Sequence, residues 1–238
     1  MNKGSIHLEN VGFDYQRHSI FNRRKQKKPQ TLTNIDLKIA PGEVVGILGH
    51  NGAGKSTLLR LIAGIYSPTS GSVDTIGRTS LLANVGTGFQ REMTGRDNII
   101  LSGLIQGFTL EHVMTLVPSI SVFSGLGQEI DEPIRTYSSG MRARLGFSII
   151  AHMNPDIFLI DEIFTVGDAS FREISKERIL DMVNGNATVI IVTHNESIVK
   201  SFCNRVICME EGKIILDSKN IDEGIQLYLD SSKAKDKR

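Results

Sequence analysis

The chain of 238 residues carries a formal net charge of +1 and 40% hydrophobic residues, enough to bury a sizeable core as one large domain or two small ones, with no global attraction to nucleic acid or membrane. Its two cysteines, Cys203 and Cys208, fit neither a metal spacing nor a disulfide framework, which points to a reducing cytosol. The opening MNKGSIHLEN lacks the apolar core of a signal peptide, and runs such as VVGIL and ATVIIV are too short to span a bilayer, so the chain is expected to be soluble by itself.

SIHLENVGFDY and later NIDLKIA alternate apolar and polar residues, the pattern of half-buried strands. Between them, five of the six residues Arg23–Lys28 are basic. Such a run reads either as a solvated hairpin loop or as a contact with anionic lipid headgroups or a charged substrate. GEVVGILG then reads as a buried strand ending in glycine. KSTLLRLIAGI follows as a helix with Leu58, Leu61, Ile62 and Ile65 on one side. Residues from about 91 to 155 are mainly helical in pattern and interrupted by glycines. Within them RTYSSGMRARLGF predicts a helix capped by Ser138, with Met141, Leu145 and Ile149 on one face.

IFLI and TVIIV are two further short apolar runs, ended by polar residues at 161–162 and 193–194. Short buried strands alternating with helices predict an α/β fold with a largely parallel sheet covered on both faces. NRVICMEEGKIILD reads as a closing hairpin turning at Gly212, and residues 231–238, ending in KAKDKR, read as a disordered tail. There is no internal repeat.

GHNGAGKST (Gly49, His50, Asn51, Gly52, Ala53, Gly54, Lys55, Ser56 and Thr57) fits GxxxxGK[ST] between a predicted strand and a predicted helix, the context a phosphate loop requires. Glycines let backbone amides turn inward around phosphate oxygens, where they meet the positive end of the helix dipole. Lys55 is placed to reach β- and γ-phosphates and Ser56 to ligate Mg²⁺. A mere glycine turn would not need the Lys-Ser pair. IFLIDE sets Asp161 and Glu162 at the end of a buried strand, where one carboxylate can hold Mg²⁺ and the other can orient or deprotonate an attacking water. Adjacent acids at a strand end also occur as a solvated turn, but beside a phosphate loop the hydrolytic reading is preferred. His194 ends the next strand, 32 residues beyond Glu162, and aligned parallel strand ends would point it at a γ-phosphate. Gln90, in GTGFQREMTG, is a weaker candidate.

In this order and at these spacings the motifs resemble those of the ATPase subunit of ATP-binding-cassette transporters, over roughly residues 5–230. Tyr15 sits where that family has an adenine-stacking aromatic. Gly49–Thr57 match its phosphate loop, and Gln90 its Q-loop, which reaches the metal with Ser56 and Asp161. Tyr137–Met141, YSSGM, match the signature motif, usually LSGGQ, while IFLIDE matches the Walker B strand, Asp168 the D-loop acid and His194 the switch histidine. The resemblance implies one nucleotide-binding domain over 1–230: a P-loop NTPase (RecA-like) core, an N-terminal antiparallel β subdomain and an inserted α-helical subdomain at about 91–155. It also implies ATP and Mg²⁺ as cofactors, with Glu162 and His194 catalytic.

In this family two cassettes close head to tail, so that Ser138, Ser139 and Gly140 would cap the ATP held by the partner's phosphate loop. The motif departs from the usual form, Ser139 replacing a glycine and Met141 a glutamine, and Ser139 keeps its amide provided it tolerates the local backbone angles. This variant, with GFQREMTGRDNI upstream and DEIFTVGDASF downstream, resembles the branch that exports lipid-linked O-antigen, capsule or teichoic acid. That implies a homodimer peripheral to the cytoplasmic face of the bacterial inner membrane, bound to a separate permease, with no nucleic-acid partner. Some members carry an extra C-terminal carbohydrate-binding domain. Here the chain stops soon after IQLYLD, so the glycan is expected to be read elsewhere. Arg23–Lys28 are expected to approach the lipid pyrophosphate of the substrate. The alternatives are an importer ATPase and a soluble cassette protein of translation or DNA repair.

Overall fold

The computed structural model describes residues 3–15, 31–82, 88–161 and 169–235; the basic run Arg23–Lys28 and the candidates Glu162 and Asp168 lie outside the described residues. In chain order the first elements are β1 (Ser5–Phe13), β2 (Leu32–Ile39), β3 (Val44–Leu48), α1 (Lys55–Ile62), β4 (Ser70–Ile76) and β5 (Thr79–Leu82). Helices α2 (Gly95–Ile105), α3 (Leu110–Ser124) and α4 (Ser139–His152) come next. The chain continues through β6 (Ile157–Asp161), α5 (Ala169–Asn184), β7 (Thr188–Val192), α6 (Glu196–Phe202), β8 (Arg205–Glu210), β9 (Lys213–Ser218) and α7 (Ile221–Lys235).

β2-β1-β4 form an antiparallel sheet. β2 buries Leu32, Ile35, Leu37 and Ile39 and exposes Asn34, Asp36 and Lys38, so one face meets the core. The second sheet has the order β5-β6-β7-β3-β8-β9 and is parallel except at the β8–β9 hairpin. β3 and β7 are buried along their whole length and β6 up to Asp161, as central strands covered on both faces must be. The hairpin turns on Glu211 (φ 46°) and Gly212 (φ 77°), a two-residue loop with both residues at positive φ.

Three apolar clusters hold these layers. Leu8, Ile35, Leu58, Ile62 and Ile190 fill the space between the antiparallel sheet, α1 and one face of the large sheet. Phe147, Phe171, Ile179, Val199 and Ile225 cover its other face. Ile99, Val113, Val117, Ile120 and Ile149 join α2, α3 and α4, which lie between β5 and β6 in the chain.

Two expectations are corrected. Ile65 is 59% exposed rather than on the buried side of α1, because the helix ends at Ile62. Gly64 takes φ 70°, and the amides of Gly64 and Ile65 bond back to Leu61 (3.0 Å) and Arg60 (2.9 Å), the paired closure that reverses the chain. The tail is not irregular from residue 231, since α7 runs to Lys235. Ile225 is buried, and Tyr228 and Leu229 pack against the second cluster, which supplies the tertiary support a polar helix end lacks by itself.

Candidate active site

Leu48, the last residue of β3, leads into the loop Gly49–Gly54, and α1 begins at Lys55. Gly49 is required by close approach, since a Cβ there would collide with the carbonyl of Met209. Gly54 is required twice over, by φ 99° and by Leu32 Cδ2, 2.6 Å from where its Cβ would be. Lys55 is only 6% exposed. Its ammonium donates to the carbonyls of Gly49 (2.6 Å) and His50 (3.0 Å), which folds the cation back over the loop instead of out to water. Backbone amides at a helix start beside this cation make an anion site. Asn51 and Gly52 at its tip are exposed, and Ser56 is half-buried in the first turn of α1.

Tyr15 follows β1 and reaches the same helix start, its hydroxyl 3.0 Å from Thr57 Oγ1. The ring stands edge-on to Phe13 (5.0 Å) and Tyr66 (5.8 Å) and stays 47% exposed, leaving an aromatic surface beside the loop.

Strand register brings the other candidates to this edge. Asp161 pairs with Val192, and Val192 with Ile47, so the carboxyl ends of β6, β7 and β3 are level. With strands about 4.8 Å apart, Asp161 lies about 10 Å from β3. His194 follows β7 in a turn fixed from both sides: Thr193 Oγ1 accepts from the Asn195 amide (3.1 Å), and Asn195 Oδ1 caps α6 through the Ser197 amide (2.9 Å). The hydroxyl of Ser56 and the carboxylate of Asp161 are hard oxygen donors that fit Mg²⁺ completed by water and phosphate.

Gln90 has an exposed side chain and a clamped backbone. Asn98, 1% exposed on α2, accepts from the Gln90 amide (2.8 Å) and donates to the carbonyls of Gln90 (3.1 Å), Met93 (3.3 Å) and Thr94 (2.8 Å). Thr94 and Asp97 form a reciprocal capping box at the start of the same helix. That box is legible in the sequence as TGRD. Asn98, absent from the expected site residues, has no sequence signal beyond lying next to it.

Ser138 caps α4 as expected, its hydroxyl accepting from the Met141 amide at 3.1 Å. Tyr137 is buried, donates to the Glu129 carbonyl, and has its phenol pushed up to about 12 by burial. Arg142 reaches back to the Tyr137 carbonyl. Ser139 begins α4 without a positive φ, so serine is tolerated where the resemblance has glycine. Gly140 has room: the nearest atom to an added Cβ is Ser138 Oγ at 3.8 Å, so the fold of this chain does not itself demand glycine there. Ser138 and Ser139 are exposed. The fold therefore gathers Gly49–Thr57, Tyr15, Asp161 and His194 at one sheet edge. It sets Ser138, Ser139 and Gly140 apart on α4, which packs on α2, α3 and α5.

The model of the ABC transporter family matches residues 32–165, more than half of the chain. The chain is 43% identical over 194 residues to the O-antigen export system ATP-binding protein RfbB of Klebsiella pneumoniae, covering 82% of this chain and 79% of that protein. It is 45% identical over 183 residues (77% of this chain) to the protein of the same name from Myxococcus xanthus, and spans 42% of that protein's length. To the teichoic acids export ATP-binding protein TagH of Bacillus anthracis it is 39% identical over 207 residues, 87% of this chain and 38% of that one. A solved ATP binding subunit of an ABC transporter aligns with a TM-score of 0.80 at 18% identity, over 93% of this chain and 92% of that one. A dimeric ATP-binding cassette in a post-hydrolysis state bound to ADP and Pi gives 0.74 at 21% identity, over 90% and 97%. The fold is that of a P-loop ATPase core carrying an antiparallel β layer and helical insertions, and the chain belongs to the ABC transporter family.

Proposed function

We propose that this chain is the ATP-hydrolysing subunit of a transporter that exports a lipid-linked surface polysaccharide through a separate permease, at the cytoplasmic face of the bacterial inner membrane. The phosphate loop, the α1 dipole and Lys55 bind the β- and γ-phosphates, and Tyr15 stacks on the base. Ser56, Asp161 and Gln90 are the residues that would hold Mg²⁺ with its waters. When bound, the ion neutralises charge on the β- and γ-oxygens. Glu162 orients and deprotonates the attacking water, and His194 donates to the γ-phosphate. Two copies close on two ATP, with Asp168 at their contact and the start of α4 of each copy serving the other's nucleotide. Hydrolysis reopens the pair, converting chemistry to motion as a population shift between open and closed dimers.

The observation that carries this reading is the exposed start of α4. Its Met141 amide is capped by Ser138 Oγ, while the Ser139 and Gly140 amides precede the first intrahelical hydrogen bond, and it bears a glycine that its own fold does not need. A helix start with two such amides at the surface suits an anion brought by another molecule. The export assignment rests on the 43% identity to the Klebsiella pneumoniae protein across most of both chains.

The test is a pull-down from native membranes with tagged Glu162→Gln protein held in ATP and Mg²⁺, reading co-purifying proteins and lipids by mass spectrometry. The expected result is a small polytopic permease with a polyprenyl-linked glycan. Recovery of a solute-import complex, ribosomes or DNA-repair factors would leave the ATPase chemistry standing and overturn export.

A further inference from the structure

α7 crosses the large sheet close to β8. A Cβ on Gly224 would collide with Val206, and Cys208 Sγ donates to the Gly224 carbonyl at 3.3 Å. From this fixed seat one turn of α7 meets two separate parts of the candidate active site. Tyr228 places its hydroxyl 3.2 Å from His194 Nδ1, with the two rings tilted and their centroids 6.5 Å apart. Three residues on, and so on the same helix face, Ser231 Oγ lies 3.1 Å from Nε2 of His50 in the phosphate loop. The Tyr228 ring also lies against His50, at 5.6 Å between centroids. Each hydroxyl has a single proton to give. Ser231 spends its proton on the Tyr228 carbonyl (2.7 Å), so toward His50 it accepts. The Tyr228 hydroxyl, which can donate or accept, faces Nδ1 of His194.

We infer that Tyr228 is a positioning residue for His194: by donating to Nδ1 it holds the neutral imidazole in the tautomer that carries its proton on Nε2. The two nitrogens of a neutral imidazole have opposite roles, and the hydrogen bond made by one decides which proton the other carries. A histidine that must donate to a phosphate oxygen through Nε2 needs an O–H donor, not an acceptor, at Nδ1. Tyr228 supplies that donor from an element 34 residues away, and the Ser231–His50 contact fixes the same helix turn against the loop that holds the phosphates. The inference rests on the role proposed above for His194 in hydrolysis.

Histidine ¹⁵N–¹³C NMR on the wild-type chain at alkaline pH reads the tautomer directly. The expected result is Nε2–H at His194, shifting to a mixture of both tautomers in Tyr228→Phe, which keeps the ring and loses only the hydroxyl. Steady-state kinetics on the same variant should show kcat lowered about tenfold with KM for ATP unchanged, as expected when a general-acid/base or donor group loses its orientation. In a His194→Ala background, Tyr228→Phe should then cause no further loss. Nδ1–H at His194 in the wild-type protein, or a Tyr228→Phe variant with wild-type kcat and tautomer while His194→Ala is inactive, would overturn the positioning role alone. Full activity in His194→Ala would instead remove the role of His194 itself, with the wild-type tautomer still testing the contact.

Discussion

Asn98 shows how a single buried side chain can control a loop it does not belong to. Its carboxamide, itself buried, uses one acceptor and both donors on the backbone of Gln90–Thr94. Asn98→Ala would remove the partner of the Gln90 amide and the second donor to carbonyls that otherwise keep one backbone amide each, from Met93, Ile134 and Asn98, and each hydrogen bond so lost contributes about 1 kcal/mol net. We expect Asn98→Ala to lower unfolding free energy by about 2 kcal/mol in urea titrations and to reduce ATP turnover more than Gln90→Ala does. Wild-type stability and turnover would mean the loop is held by other contacts. Lys55 differs in kind. Its ammonium is almost wholly buried yet donates to two carbonyls, so it is a positioned charge rather than a buried penalty.

The helical elements separate stability from function. α4 ends at His152, which packs edge-on against Phe123 and is held below its ordinary value of 6.5 by burial, with the Ser148 carbonyl opposing that shift and Arg178 adding to it. In the unfolded chain the imidazole binds a proton at a pH where the folded one does not. The stability of this packing is therefore fully present above about pH 6.5 and declines as pH falls toward the lower folded value. The fall in Tm between pH 7.5 and 5.5 should be shallower in His152→Gln than in the wild type, and an unchanged slope would assign the acid sensitivity elsewhere. At the other end of α4, Gly140→Asp introduces a carboxylate into the first helical turn, where the dipole favours it by about 0.3–1 kcal/mol. Its monomer should unfold no earlier than the wild type.

The elements themselves were largely legible. β3, β6 and β7 are uninterrupted apolar runs because both faces of a central parallel strand are covered, and Ser138 announces α4 because a cap is local chemistry. Local pattern failed where tertiary support decided the outcome. Ile65 has the right spacing but follows the glycine that ends α1, and residues 231–235 look polar in isolation yet continue a helix already anchored at Ile225. The approach of Tyr228 to His194 depends on the path of α7 across the sheet, which no window of sequence encodes.

At the scale of the whole molecule, the site proposed above is complete only between two chains. The loop Gly49–Thr57 and the serine-glycine start of α4 sit on different elements, the first at the sheet edge and the second packed with α2, α3 and α5. The most direct test mixes two inactive proteins. Lys55→Ala removes the cation at the phosphate loop and should lower hydrolysis by about 10²–10³-fold. Gly140→Asp sets a negative charge where the partner's phosphate would approach and should do the same without loss of stability. A mixed dimer contains one site that joins the intact loop of one chain to the intact α4 of the other. Equal mixing should restore about a quarter of wild-type hydrolysis, since half of randomly paired dimers are mixed and each then holds one intact site. A mixture as inactive as its two components would contradict a site shared in trans.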